Sequence, residues 1–229
     1  MIWYDSTLLI LIPGILLGMI AQILMQSTYT KYAAIKSATG LTGYTAARRI
    51  LDGAGLYHVQ IEMIGGELSD HFDPRENVLR LSQGVYQSPS VAAIGVAAHE
   101  CGHAIQYAES YLPMKVRGAL VKTTNFSSSF SFLIVLVGML FSIPEIAYVG
   151  IGLFLVVVFF QLVTLPVEFN ASARALSILR GGILPEEEMA GVKKVLSAAA
   201  LTYVAAFVNA VLQLLRLVSI VSGGRGRRR

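Results

Sequence analysis

Hydrophobic and polar positions alternate along the chain in five blocks. Residues 7–25 (TLLILIPGILLGMIAQILM) carry no charge and, at about 1.5 Å of rise per residue, reach close to the roughly 30 Å of a bilayer's hydrocarbon core, so the block 1–26 is expected to be a transmembrane anchor. Trp3 and Tyr4 suit the interface at one end. Asp5 is the one early charge, with no basic stretch before the apolar run and no A-x-A site after it, which favours a retained anchor over a cleaved signal peptide. Residues 27–125 turn polar enough to fold in water. Within 126–165, two uncharged runs, 126–143 and 146–163, are broken by Pro144 and Glu145 and read as a transmembrane hairpin. The block 166–197 is polar again, with VEFNASARALSIL and then LPEEEMAGVKKVLSA, where Pro185 and Glu186 to Glu188 suit a helix start. Residues 198–229 return to apolar character but contain Asn209, Gln213 and Arg216 before RGRRR, a pattern open between a fourth span and an interfacial helix.

The first polar block has its own internal pattern. Thr42 caps an expected helix, TGYTAARRILDGAG, that Gly53 and Gly55 stop. LYHVQIEMI alternates, GG turns and ELSDHF returns, which predicts a paired set of strands; DPREN makes a second turn and VLRLS resumes strand character. SPSVAAIGVAAHECGHAIQYAE then reads as one helix with Ser88 as N-cap and Pro89 in its first turn, ending before Pro113. A small sheet beside that helix offers an extended peptide an edge to join as a further strand.

Composition sharpens the membrane reading. Hydrophobic residues make up 55% of the chain and charged residues 14%, with a mean hydropathy of +0.63, against about 25% charged in soluble domains. The net charge of +4 does not point to nucleic acid, because the basic residues are spread along the chain and flank apolar runs, an arrangement that suits an anionic lipid surface. Nine Lys and Arg lie in 26–125 and four in 166–200, with none in the N-terminal run or the 144–145 turn, so both polar segments are expected on the cytoplasmic side of a multi-pass cell membrane protein. The single cysteine, Cys101, excludes an intramolecular disulfide and reads as a small buried filler.

Chemistry concentrates in HECGH, His99 to His103. Two imidazoles four apart on a helix face the same way and can share one zinc ion, and Glu100 beside the first is positioned to act as general base on a water. Gly102 and the nearby Ala97, Ala98 and Ala104 are small, so a bulky residue at 102 would crowd whatever packs beside His103. A catalytic zinc takes three protein ligands. No histidine follows His103, while His58 and His71 lie in the strand region; Glu168 is the best remaining donor, because the hairpin's even number of spans returns it to the side of His99. A helix starting at Glu168 carries Ser172 on the same face, where it can orient a zinc histidine, and Asn170 with Arg174 on a second face. Arg174 is expected to pair with Asp70 or Asp73 or to face lipid phosphate. His71, Tyr203 and Arg174 are the candidates to stabilise an oxyanion.

The order DHFDP, VLRLS, VAAHECGHAIQ and VEFNASARAL, with a hairpin between the last two, resembles the YugP-like neutral zinc metallopeptidases of bacterial membranes over nearly the whole chain from residue 27 onward. At a greater distance the chain is similar to HtpX-like and CAAX-processing membrane proteases, gluzincins. That similarity implies His99, His103 and Glu168 as zinc ligands and Glu100 as base; where those distant relatives carry Asp four residues after the ligand Glu, this chain has Ser172. The expected fold is an α-helical integral membrane protein of three or four transmembrane helices with a small α+β zincin-like domain at the cytoplasmic membrane surface. The expected function is zinc-dependent hydrolysis of peptide bonds in membrane proteins or misfolded chains. A noncatalytic scaffold or adaptor stabilised by zinc is the alternative from another class, and a transporter-like role rests only on Asn209, Gln213 and Arg216.

Overall fold

The structure, a computed structural model, describes residues 6–226. Trp3 and Tyr4, the expected interface anchors, and Arg227 to Arg229 lie outside the described residues. Two compact units form, one of Met1–Ala21, Val116–Leu165 and Thr202–Arg229, the other of Gln22–Lys115 and Pro166–Leu201. Four helices contribute to both: α1 (Ile12–Ala33, after a 3-10 segment Ser6–Leu11), α5 (Leu112–Leu140), α6 (Pro144–Arg180) and α7 (Glu186–Gly226). Each is long and apolar enough to cross a membrane, so the chain is a multi-pass membrane protein with four candidate spans. The hairpin's second run and VEFNASARAL are one helix, α6, which continues through Pro166; α7 likewise joins the acidic EEE start to the last apolar block.

In the apolar unit, small residues bring helices close together. A Cβ on Gly150 would lie 2.7 Å from the Ser131 carbonyl oxygen and 2.7 Å from Val135, and one on Gly138 would meet the Ala147 backbone, so α5 and α6 pack nearly backbone to backbone. Gly14 of α1 faces the Asn209 side chain of α7. Val135, Ala147, Ile151, Leu217 and Val221 form a buried cluster that draws α7 into the bundle; a helix lying in the interface would not bury Leu217 this way, which favours a fourth span.

The polar unit is α+β. Helix α2 (Gly43–Gly53) starts at Thr42, whose side chain accepts from the Thr45 N–H while Thr45 answers the Thr42 N–H in a reciprocal box. Arg48 then donates to the carbonyls of Leu56 and Val59, tying down the loop that leads into the sheet. Strands β1 (Gln60–Ile64), β2 (His71–Asp73) and β3 (Val78–Ser82) form a sheet in the order β1-β3-β2, with β1 parallel and β2 antiparallel to β3. The expected β1–β2 hairpin is therefore a misreading. Gly65 and Gly66 open a loop that runs to Asp70, with Leu68 at φ 52, rather than a tight turn. VLRLS, the most buried of the three, takes the central place that near-continuous apolar sequence favours. Asp70 accepts from the Ser82 N–H and hydroxyl, fastening the start of β2 to the end of β3. Arg80 spans the sheet, pairing with Glu62, Asp73 and Glu76.

After the single turn α3 (Gln83–Tyr86) comes α4 (Val91–Ala108). Its N-cap is Ser90, whose hydroxyl accepts from the Ala93 N–H, not Ser88 as the sequence suggested. Ser88 instead accepts from the Ser90 N–H in a turn through Pro89 that precedes the helix. Helix α4 is the axis of the core: Ala93, Ile94, Ala97, Ala98 and Cys101 are buried among α2, β3, the second half of α6 and the start of α7. It ends in a turn through Ser110 (φ 59), after which Pro113 occupies the first turn of α5.

Candidate metal centre

His99, Glu100 and His103 sit in the middle of α4, and their ligand atoms lie within 4.8 Å of one another. Opposite them, α6 supplies Glu168 and Ser172. Glu168 Oε2 lies 3.2 Å from His99 Nε2 and 3.5 Å from His103 Nε2. Donor atoms about 2.0–2.2 Å from a tetrahedral centre are roughly 3.3–3.6 Å apart, so Glu168 Oε2 stands close to ligand spacing from each imidazole. Of the two carboxylates present, Glu168 has this spacing to both imidazoles; Glu100, next to His99 on the same helix, leaves the shared face of His99 and His103.

The two helices come this close because Gly102 has no side chain. A Cβ there would lie 2.7 Å from the Ala171 carbonyl oxygen on α6. The crowding expected beside His103 is therefore real, and the crowded atom is backbone.

The polar chemistry of the site favours a bound cation. Glu168 is 1% exposed, and an ionised carboxylate so deep in a protein requires positive charge beside it. Burial raises the Glu100 carboxyl above its ordinary range, against the pull of His103 and His99. Burial opposes the charged form of His103, but the hydrogen bond to Glu168, the charges of Glu100 and Glu168 and the bond to Gln106 outweigh it, and its pKa is raised. Two imidazoles and the Glu168 carboxylate make a donor set that fits zinc in residue type.

Both rings are held from behind. Ser172 Oγ lies 3.1 Å from His99 Nδ1, the partner its place four residues after Glu168 suggests, with a hydroxyl where the distant relatives have a carboxylate. His103 Nδ1 lies 3.0 Å from Gln106 Oε1. Sequence reasoning overlooked Gln106, although its place three residues after His103 puts it on the same helix face.

Other expected site residues stand elsewhere. Arg174 does not pair with Asp70 or Asp73: its guanidinium lies 2.6 Å from Glu109 at the end of α4 and donates to Asn170 Oδ1 at 2.8 Å, since α6 runs beside α4 rather than along the sheet. Asp70 is bonded to Ser82 and Asp73 to Arg80. His71 is exposed on β2, with Nδ1 2.8 Å from the Ser69 carbonyl. Exposed His58 also lies outside the metal cluster. Cys101 is fully buried, and burial pushes its thiol far up, which suits a filler and not a nucleophile.

Residues 7–222 match the family described as "Putative neutral zinc metallopeptidase". The chain is also 48% identical over 206 residues, 90% of its own length and 92% of the relative's, to a protein of Bacillus subtilis (strain 168) named "Putative membrane protease YugP". No solved structure matches.

Proposed function

Because the chain belongs to the neutral zinc metallopeptidase family, we propose that it hydrolyses peptide bonds, with His99, His103 and Glu168 holding zinc and Glu100 acting as general base. The observation that most supports this reading is the position of Glu168 Oε2, within 3.2 and 3.5 Å of the two Nε2 atoms. When bound, zinc supplies Lewis acidity, which makes water nucleophilic near neutral pH. Glu100 takes the proton of the attacking water at its carboxylate and passes it to the nitrogen of the departing amine. A carboxyl whose basicity is raised by burial suits both halves of that transfer. Ser172 Oγ, 3.1 Å from His99 Nδ1, holds that ring from behind with Nε2 turned toward Glu168.

The substrates are membrane proteins, their loops near the bilayer, or misfolded chains, a class supported by the family and by four candidate spans in the same chain. An extended substrate segment adds to an edge of the β1-β3-β2 sheet. The polar unit faces the cytoplasm, which is supported by the thirteen Lys and Arg of residues 26–125 and 166–200.

Glu100→Gln keeps the shape of the side chain and removes the base. In detergent-purified protein with matched zinc content, the variant should cleave fluorescein-labelled casein about 10²–10⁴-fold more slowly than wild type. Equal rates would remove Glu100 from the reaction, and a zinc-loaded wild type that leaves casein intact would contradict unfolded chains as substrates.

A further inference from the structure

Gln106 is fully buried near the end of α4, and its neighbours allow its amide one orientation. Nε2 donates to the Val167 carbonyl oxygen at 2.8 Å and to Asn170 Oδ1 at 2.9 Å. Asn170 Oδ1 is itself fixed as an acceptor, because Arg174 Nε donates to it at 2.8 Å, and Arg174 is held by Glu109. A flipped Gln106 amide would aim its oxygen at two other oxygens, so Oε1 must face His103 Nδ1. Oxygen there can only accept. His103 Nδ1 therefore carries a hydrogen, and Nε2, the atom 3.5 Å from Glu168 Oε2, is the nitrogen left to face a metal.

We propose that Gln106 is a positioning residue of the metal centre, one amide that fixes the tautomer of His103 and, through the Val167 carbonyl, the position of the adjoining Glu168. It rests on the reading of His99, His103 and Glu168 as ligands. Two of these ligands come from different helices, and Gln106 contacts the ring of one and the backbone beside the other. His99 is held differently. The Ser172 hydroxyl can donate or accept, so it orients that ring without dictating which nitrogen carries the hydrogen. The outer part of the network, Asn170, Arg174 and Glu109, serves the same end by keeping the Gln106 amide from turning over.

Gln106→Leu preserves bulk and removes both polar ends. Two readouts are taken on the full-length protein in detergent: zinc affinity by competition with a chelator, and the imidazole tautomers of the zinc-free protein, at a pH where the rings are neutral, by nitrogen-15 NMR on labelled histidine. The proposal expects zinc affinity to fall roughly 10–100-fold, with His103 passing from the Nδ1–H form to a mixture. Gln106→Glu still accepts from His103 Nδ1 but cannot donate to Val167 or Asn170; it should keep the Nδ1–H form and lose less affinity than the leucine variant. It also serves where the leucine variant does not fold. Zinc affinity within about threefold of wild type in Gln106→Leu, an unchanged tautomer in that variant, or a mixed tautomer in Gln106→Glu would overturn the positioning role. A wild type that binds no zinc would instead overturn the ligand reading beneath it.

Discussion

His99 and His103 are four residues apart on one helix, and Glu168 and Ser172 are four apart on another, so each helix presents two polar groups to the same seam. What lets the pairs meet is the missing side chain at Gly102. Replacing it with alanine gains about 1 kcal/mol of helix propensity, but the new methyl would meet the Ala171 carbonyl at 2.7 Å, and strain of this kind costs about 1–3 kcal/mol. Gly102→Ala should therefore lower the melting temperature and weaken zinc binding; a variant more stable than wild type would mean the helices are free to separate. At this scale the two pairs that make up the candidate site were legible, because groups four residues apart share a helix face and sequence spacing reports that directly. Arg174 was misassigned for the opposite reason. Its partner, Glu109, lies 65 positions away in sequence, and no local spacing reveals that α6 runs beside the end of α4. Gln106 was within reach of the same spacing rule that found the histidines, but a neutral amide gives no signal until its partners are known.

Elements followed their sequence patterns where the pattern was local. Thr42 caps α2, Glu186 to Glu188 open α7, and all four apolar runs are helical. Apart from the α4 cap, which is Ser90 and not Ser88, errors arose where a nonlocal partner decided the outcome. Alternation identified β1 and β2 as strands but could not show that each pairs with β3, because period-2 patterning marks a face and not a neighbour. A helix was expected to start at Glu168, yet α6 runs on from Pro144 through Pro166, as apolar spans tolerate where neighbouring groups compensate the lost hydrogen bond. In the apolar unit the close α5–α6 packing yields a paired test. Gly150→Leu must displace the Ser131 backbone or Val135 and should destabilise the detergent-solubilised protein by about 1–3 kcal/mol, whereas Gly152→Leu, with nothing within 4 Å, should change thermal stability little. Equal effects from the two variants would contradict the packing.

The whole molecule joins a membrane bundle to a polar unit through α1, α5, α6 and α7, each contributing to both. Four crossings by the candidate spans would put the α5–α6 turn on one side of the bilayer and the segments before α4 and before α7 on the other. With the polar unit cytoplasmic, a cysteine introduced at Glu145 should react with a membrane-impermeant maleimide in intact cells, and one at Lys193 only after permeabilisation; the reverse pattern would invert the topology. Cys101, fully buried, should stay silent in both states of the cell. Hydropathy made the spans readable, and only the path of the last helix required its burial against α5 and α6. The central claim is that two histidines of α4 and one glutamate of α6 bind one metal ion together. Its most direct test is zinc per chain in detergent-purified protein, wild type beside Glu168→Ala. Close to one zinc in wild type and markedly less in the variant is the predicted result. No zinc in wild type after zinc-replete purification, or an equally full variant, would contradict it.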